Sequence, residues 1–185
     1  QVNFDNSPVS PVVLKKMTDI IEHRGPDGEG HWIEDNVALG HRRLAIVDVS
    51  SAGSQPMVCM NHRFILTFNG EIYNYKEIKK ELKVLGYRFR SNTDSEVVLN
   101  ALSEWGEVAF NRFNGMFALA LWDRKDKIML LARDRYGIKP LYYSECEGRI
   151  SFASESKALL ADLNFNRSLN KEALLEYFTF QNIFT

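Results

Sequence analysis

Two apolar runs, residues 113–122 and 127–132, are separated by the four polar residues Asp123-Arg124-Lys125-Asp126. Two strand-length apolar segments joined by a short polar turn are typical of a β-hairpin. A second pair of segments, 141–144 and 150–153, flanks Glu147-Gly148 in the same way. Because a hairpin joins strands that run in opposite directions, the chain is predicted to build antiparallel sheets.

A strand, a turn and a helix are predicted in the middle of the chain. Residues 63–68 form an apolar, β-branched and aromatic run, which favours a strand. Asn69-Gly70 is predicted to end that strand in a turn, because this dipeptide readily takes positive φ. Residues 74–85 then carry apolar side chains at helical spacing, with Asn74 as the expected N-cap. Such a turn displays backbone N–H groups that can bind a ligand.

The predicted fold class is α+β, with two antiparallel sheets and layers of helices. The run MFALALW, residues 116–122, has no polar alternation, which indicates a strand covered on both faces. Helices are predicted on either side of the central strand and at residues 156–163 and 170–178. A layered packing of sheets and helices buries all of these apolar faces.

Composition excludes several classes of protein. The 185 residues are 45% hydrophobic and carry a net charge of −1, so no basic field points to nucleic acid or to an anionic membrane. No apolar run approaches the roughly 18 residues of a transmembrane helix, and no signal-peptide pattern opens the sequence. Two cysteines, Cys59 and Cys146, do not make a disulfide framework. These features together favour a cytoplasmic location.

Asn69-Gly70-Glu71 can be interpreted in two ways. The side-chain amide of Asn69 and the backbone N–H of Gly70 could form an oxyanion hole, since acyl transfer needs two donors where charge develops on the carbonyl oxygen. The alternative is an ordinary turn, because Asn-Gly turns are common. The dipeptide alone favours the turn.

Arg43 and Asp94 are the other two candidates for substrate binding. A guanidinium in an apolar strand needs a partner, and Arg43 could grip the α-carboxylate of an amino acid or pair internally, for example with Asp48. Asp94 could receive the α-ammonium of the same amino acid. Its local pattern, however, is that of a helix N-cap.

Other chemistries have little support in the sequence. The four histidines show no ligand spacing for a metal, and no glycine-rich phosphate loop is present. His23 and His41 are expected to make structural hydrogen bonds. Neither cysteine has the basic surroundings of a reactive thiolate.

Seven ordered motifs together resemble the glutaminase domain of class II glutamine amidotransferases, in the branch of the glutamine-hydrolysing asparagine synthetases. The resemblance covers nearly the whole chain, and the number and order of its motifs make it specific. They are HRGPDGEG (23–30), GHRRLAIVD (40–48), FNGEIYNY (68–75), TDSEV (93–97), FNGMFALALWD (113–123), ARDRYGIKPLYY (132–143) and FASESKALL (152–160).

The resemblance implies an N-terminal-nucleophile hydrolase fold, an αββα sandwich of two antiparallel sheets between helical layers. It also implies that Asn69 and Gly70 are catalytic, as the oxyanion hole, and that L-glutamine is the substrate. In that family pattern Arg43 binds the carboxylate of glutamine and Asp94 binds its amino group. The remaining residues expected to line the pocket are Leu44, Ile46, Val47 and Glu71.

One departure from the family pattern concerns the nucleophile. The family uses a cysteine at the mature N-terminus whose own α-amine acts as the base. This sequence begins with Gln1, so we expect a short Cys-led segment to be missing, and the chain as printed to be inactive. Residues 1–163 are predicted to form the glutaminase domain. Residues 164–185 are predicted to begin a linker toward an absent synthetase domain.

The resemblance implies an asparagine synthase as the full-length parent. Its glutaminase domain would release ammonia, and its C-terminal synthetase domain would use ATP and Mg to amidate aspartate; no cofactor is expected in the present domain. A homodimer is a further candidate assembly, and no nucleic acid or membrane partner is expected. Two alternatives stay open: a non-catalytic glutamine-binding or scaffold module, and amidation of a different carboxylate acceptor.

Overall fold

The computed structural model of the chain describes residues 1–45, 50–162, 165 and 167–183. Its strands are β1 Val2–Asn3, β2 Gly28–Glu34, β3 Val37–Arg43, β4 Met57–Val58, β5 Phe64–Ile72, β6 Gly115–Asp123, β7 Ile128–Arg133, β8 Tyr142–Cys146 and β9 Arg149–Ala153. Its α-helices are α1 Pro11–Asp19, α2 Tyr75–Val84, α3 Asp94–Trp105, α4 Ser156–Leu159 and α5 Lys171–Phe180. Short 3₁₀ turns occur at Glu22–Arg24, Ser51–Gly53 and Gly106–Asn111.

Both predicted hairpins are present. In the described part of the chain one sheet has the order β2-β3-β1-β9-β8 and the other the order β4-β5-β6-β7. β6 and β7 form the first hairpin, and β8 and β9 form the second. All paired strands within the two sheets are antiparallel, which confirms the prediction.

The two sheets pack face to face with helices outside them. Val37 and Leu39 from the first sheet meet Ile65 and Trp122 from the second, and all four side chains are buried. The opposite face of the second sheet packs against α2 and α3 in the largest apolar cluster, while α1 and α4 cover the first sheet. Burial on both faces of each sheet explains the continuous apolar run of β6. The α+β αββα prediction is therefore confirmed.

The predicted turn at Asn69-Gly70 is wrong. β5 continues through both residues to Ile72, because β6 pairs with it along its whole length, from Phe64 opposite Asp123 to Ile72 opposite Gly115. Pairing along the whole ladder outweighs the local turn preference of the dipeptide. The helix begins at Tyr75 as the pattern indicates, but the Asn74 side chain makes no capping bond.

Candidate active site

One cavity of about 520 Å³ collects the candidate residues from distant parts of the sequence. It lies where the end of β3 meets β5 and the start of α3. Its lining includes six of the residues predicted to form the site: Arg43, Leu44, Asn69, Gly70, Glu71 and Asp94. The other two, Ile46 and Val47, lie outside the described residues.

Asn69 presents a buried hydrogen-bond donor. The side chain of its neighbour Phe68 packs into the cluster with α2 and α3, so Asn69 points to the opposite face of β5, where the cavity lies. Its Nδ2 is buried and has no hydrogen-bond partner among the described residues. A buried amide donor without an acceptor is unfavourable by roughly 1–3 kcal/mol. The arrangement therefore suits a ligand oxygen that would accept this hydrogen bond.

Gly70 brings a backbone donor to the same place. Phe68 directs its N–H and C=O away from β6, toward the side chain of Gln55. Alternate residues of a strand direct their backbone groups to the same side. The N–H of Gly70 therefore points away from β6 as well, past the end of the two-residue strand β4. A Cβ at position 70 would lie only 2.4 Å from the backbone oxygen of Met116, so the approach of β6 requires glycine here.

Arg43 ends β3 with its guanidinium at the cavity. Its Nη1 donates to the backbone oxygen of Ser50 at 2.7 Å. The guanidinium lies against Gly53, where a Cβ would come within 2.3 Å of Nη2. The alternative partner considered for Arg43, Asp48, lies outside the described residues.

Asp94 does not cap the helix that it was predicted to open. Thr93 is the N-cap, and its Oγ1 accepts a hydrogen bond from the Glu96 N–H at 3.3 Å. Asp94 occupies the first helical position, and its Oδ2 accepts a bond from the Ile72 N–H at 3.0 Å. Burial raises the pKa of the Asp94 carboxyl above its usual value, which exceeds the opposing effect of its backbone hydrogen bonds.

His41 and Gln55 both bond the backbone oxygen of Phe68. His41 Nε2 lies 3.2 Å from that oxygen, as expected for a structural hydrogen bond, and Gln55 Nε2 lies 3.1 Å from it. Burial lowers the pKa of His41 to about 4, so the imidazole is neutral at pH 7. Its Nδ1 is buried without a partner among the described residues. Sequence reasoning missed Gln55, since a lone glutamine before a proline carries no periodic signal.

The cavity is lined by neither of the two cysteines of the chain. Cys59 donates to Asn61 and accepts from the Phe64 N–H, and neither Cys59 nor Cys146 lines the cavity. Among the described residues no three His, Cys, Asp or Glu side chains lie together as metal ligands. None of the helices in that part of the chain combines the length and apolarity needed to cross a membrane.

Comparison with known proteins agrees with the sequence resemblance. Residues 2–185 match the family described as "Glutamine amidotransferase domain". Asparagine synthetase [glutamine-hydrolyzing] 1 of Bacillus subtilis is 41% identical over 91% of this chain, which covers 26% of that relative. Amidase chry2 of Gibberella zeae is 39% identical over 80% of the chain, which covers 22% of that protein. The chain thus spans about a quarter of the length of these relatives.

The solved structure of glutamine phosphoribosylpyrophosphate amidotransferase from B. subtilis has the same fold. It superimposes with a TM-score of 0.72 over 84% of this chain and 42% of its own, at 19% identity, a level that supports the fold alone. The N-terminal-nucleophile hydrolase fold is therefore confirmed. Together with the family match over nearly every residue, these findings show that the chain belongs to the glutamine amidotransferase domain family.

Proposed function

We propose that this chain binds L-glutamine in the cavity and supplies the groups that activate its side-chain amide for hydrolysis. One observation carries the proposal. The buried donor of Asn69, which has no partner among the described residues, lines the same cavity as the guanidinium of Arg43 and the carboxylate of Asp94. A small zwitterion with a carbonyl at its far end carries a group of complementary chemistry for each of the three.

Each group would have a separate role. Arg43 would hold the α-carboxylate through two parallel N–H bonds, and Asp94 would bind the α-ammonium. The Asn69 amide and the Gly70 N–H would stabilise the oxyanion that develops on the side-chain carbonyl. The remaining expected lining residues are Leu44, Ile46, Val47 and Glu71.

The nucleophile would be the thiol of a cysteine that precedes Gln1 in a longer form of the protein. Gln1 is buried and lines the cavity, so a segment joined to it would begin at the site. The thiol would attack the amide carbon, and collapse of the tetrahedral intermediate would expel ammonia and leave a glutamyl thioester. Water would then cleave the thioester to glutamate and restore the thiol.

The ammonia would pass to a second domain in a longer parent, which would use ATP and Mg to amidate aspartate. Residues 164–185 would begin the linker to it. Similarity to asparagine synthetases supports aspartate as the acceptor. The comparably similar relative named as an amidase leaves another acceptor open.

Titration of the present chain with L-glutamine tests the proposal. Because neither Cys59 nor Cys146 lines the cavity, we expect saturable binding without turnover, measured by calorimetry or by NMR. D-glutamine is the matched control, since inversion at Cα would misplace the ammonium relative to Arg43 and Asp94. Absence of binding at millimolar L-glutamine, or equal binding of both enantiomers, would contradict the proposal. The scaffold alternative predicts no binding, and a purely binding module predicts no hydrolysis once a Cys-led segment precedes Gln1.

A further inference from the structure

The side chain of Gln55 bonds the backbone of β5 next to Asn69, at a position that β4 would pair with if it were longer. β4 pairs with β5 at two positions, Met57 opposite Leu66 and Val58 opposite Ile65. The same register carried two residues further would set residue 55 opposite Phe68. β4 ends before that position, however, and includes neither Gln55 nor Pro56. In place of a backbone, the Gln55 side chain fills the position opposite Phe68.

The Gln55 amide makes both hydrogen bonds that a paired strand would make. Phe68 donates its N–H to Oε1 at 2.6 Å, and Nε2 donates to the Phe68 oxygen at 3.1 Å. This exchange fixes which end of the amide is oxygen, since the reverse orientation would oppose donor to donor. Phe68 immediately precedes Asn69, so the bond to the Phe68 oxygen orients the peptide that joins the two residues, and the bond to its N–H orients the peptide before it.

Gln55 is itself held rigidly. It is 9% exposed, and β2 lies directly against its backbone: a Cβ on Gly30 would stand 2.0 Å from the Gln55 oxygen. Its Nε2 also lies 3.4 Å from the Ser95 Oγ, beside Asp94. The amide therefore connects the strand that carries Asn69 to the first turn of α3.

The segment that ends at Gln55 also contacts Arg43 at the cavity. Ser50 accepts a bond from the Arg43 guanidinium, and Gly53 lies between that guanidinium and Thr93. Residues 50–55 thus contact Arg43, the start of α3 and the strand of Asn69. None of the roles assigned above falls on this segment.

We propose that Gln55 is a positioning residue, which aims the Asn69 amide and the Gly70 N–H at the substrate carbonyl. The expected effect on glutamine binding rests on the proposed function, whereas the contact between Gln55 and Phe68 is present without any ligand. Gln55 lines the cavity, but both ends of its amide bond the backbone of Phe68, and no contact with the substrate is assigned to it. It acts by holding Phe68, so its loss would affect recognition of the amide end of glutamine and spare recognition of the zwitterion.

Two variants separate the two bonds. Gln55→Met keeps an unbranched side chain of similar length and removes both partners of Phe68. Gln55→Glu keeps the size and an acceptor for the Phe68 N–H but removes the donor to the Phe68 oxygen. The matched control is Leu82→Ala, which truncates a buried α2 side chain that does not line the cavity. It reproduces a loss of stability without touching Gln55.

The first measurement needs no ligand. The NMR signals of the Asn69 side-chain NH₂ and of the Gly70 N–H are recorded for the present chain and the three variants. We expect both Gln55 variants to shift or broaden these signals, and Leu82→Ala to leave them in place. Unchanged signals in Gln55→Met, or equal changes in Leu82→Ala, would overturn the proposal.

The second measurement compares L-glutamine with L-norvaline, which has the same zwitterion and a methyl group in place of the amide. We expect Gln55→Met to weaken glutamine binding about tenfold, the equivalent of one lost hydrogen bond, while norvaline binding changes less than about twofold. Equal weakening of both ligands would mean a merely structural role and would overturn the proposal. If the unsubstituted chain binds no glutamine, the proposed function fails, and the ligand-free NMR signals alone decide the role of Gln55.

Discussion

The carboxylate of Asp94 accepts a hydrogen bond from the backbone N–H of Ile72 at 3.0 Å, and this bond joins α3 to the open edge of β5. Along that edge three alternate residues direct their backbone groups the same way. The N–H of Phe68 donates to Gln55 and the N–H of Ile72 donates to Asp94, and Gly70 lies between these two residues. The two flanking contacts thus frame the one backbone N–H that the proposed chemistry requires.

Asn69→Ala should slow hydrolysis of glutamine by about 10²-fold or more in a form of the protein that carries a Cys-led segment before Gln1, because one of two oxyanion donors is lost. The measurement is ammonia release at saturating glutamine. Asn111→Ala, at an exposed asparagine outside the cavity, is the control and should turn over normally. Normal turnover in Asn69→Ala would exclude the assigned role.

Arg43→Lys should weaken L-glutamine binding by about tenfold or more, since an ammonium keeps the charge but cannot grip a carboxylate with two parallel bonds. Calorimetric titration of the present chain measures the effect. The matched control is Arg63→Lys, whose guanidinium pairs with Asp123 and Asp126 away from the cavity. Unchanged affinity in Arg43→Lys would move the carboxylate site elsewhere.

Asp94→Asn should weaken glutamine binding at neutral pH about tenfold or more through loss of the charged partner of the ammonium. The Asn oxygen can still accept the Ile72 N–H, so the fold should persist. In the unsubstituted chain, affinity should fall as the pH is lowered through the raised pKa of Asp94, because protonation removes the same charge. Binding of Asp94→Asn should lack this component, and identical pH profiles would contradict the assignment.

Asp94→Asn is expected to stabilise the fold, although it weakens binding. Burial disfavours the charged carboxylate, so its folded-state pKa lies above the unfolded value of 3.8. The ionised group therefore costs stability above its folded pKa, and that cost disappears as the pH falls toward the unfolded value. Asp94→Asn should unfold at higher urea concentration than the unsubstituted chain at pH 7. A lower midpoint would show that the charge is stabilised by contacts other than those described.

His41 should make stability depend on pH in the opposite direction. Its pKa is about 4 when folded against 6.5 in the reference state, so the unfolded chain takes up a proton first as the pH falls. Stability from the neutral imidazole is present above pH 6.5 and is lost as the pH falls toward 4, by about 2 kcal/mol between pH 7 and pH 5. His41→Gln should lack this component in urea unfolding at the two pH values. An equal loss in both proteins would show that other groups cause it.

Asp134→Asn should destabilise the chain by about 2–4 kcal/mol, because an amide would set a donor against backbone donors in a buried site. The Asp134 carboxylate accepts N–H bonds from Phe117, Tyr136, Ile138 and Lys139. Burial alone would raise the pKa of Asp134, but these four bonds lower it. Asp126→Asn, at a half-exposed ion pair, is the control and should change stability by less than about 1 kcal/mol. Equal effects at both positions would contradict this account.

Local patterns were sufficient for most of the elements. The hairpin of β6 and β7 followed from two apolar runs and a polar turn, because strand pairing between neighbours in sequence depends on contacts that are themselves local. The start of α2 after Asn74 followed in the same way from spacing. The family resemblance added the list of candidate residues, because it rests on several motifs that lie far apart in the chain.

Sequence patterns thus predict most of the elements, their antiparallel pairing and the family. The extended conformation of Asn69-Gly70 depends on long-range pairing, because β6 holds these residues in a strand against their own turn preference. Tertiary contacts also bring Arg43, Asn69 and Asp94 to one cavity and set the amide of Gln55 in place of a strand beside Phe68. These arrangements bring together residues 13 to 51 positions apart in the sequence, and a local pattern carries no information about which distant segment will complete a hydrogen bond or a cavity.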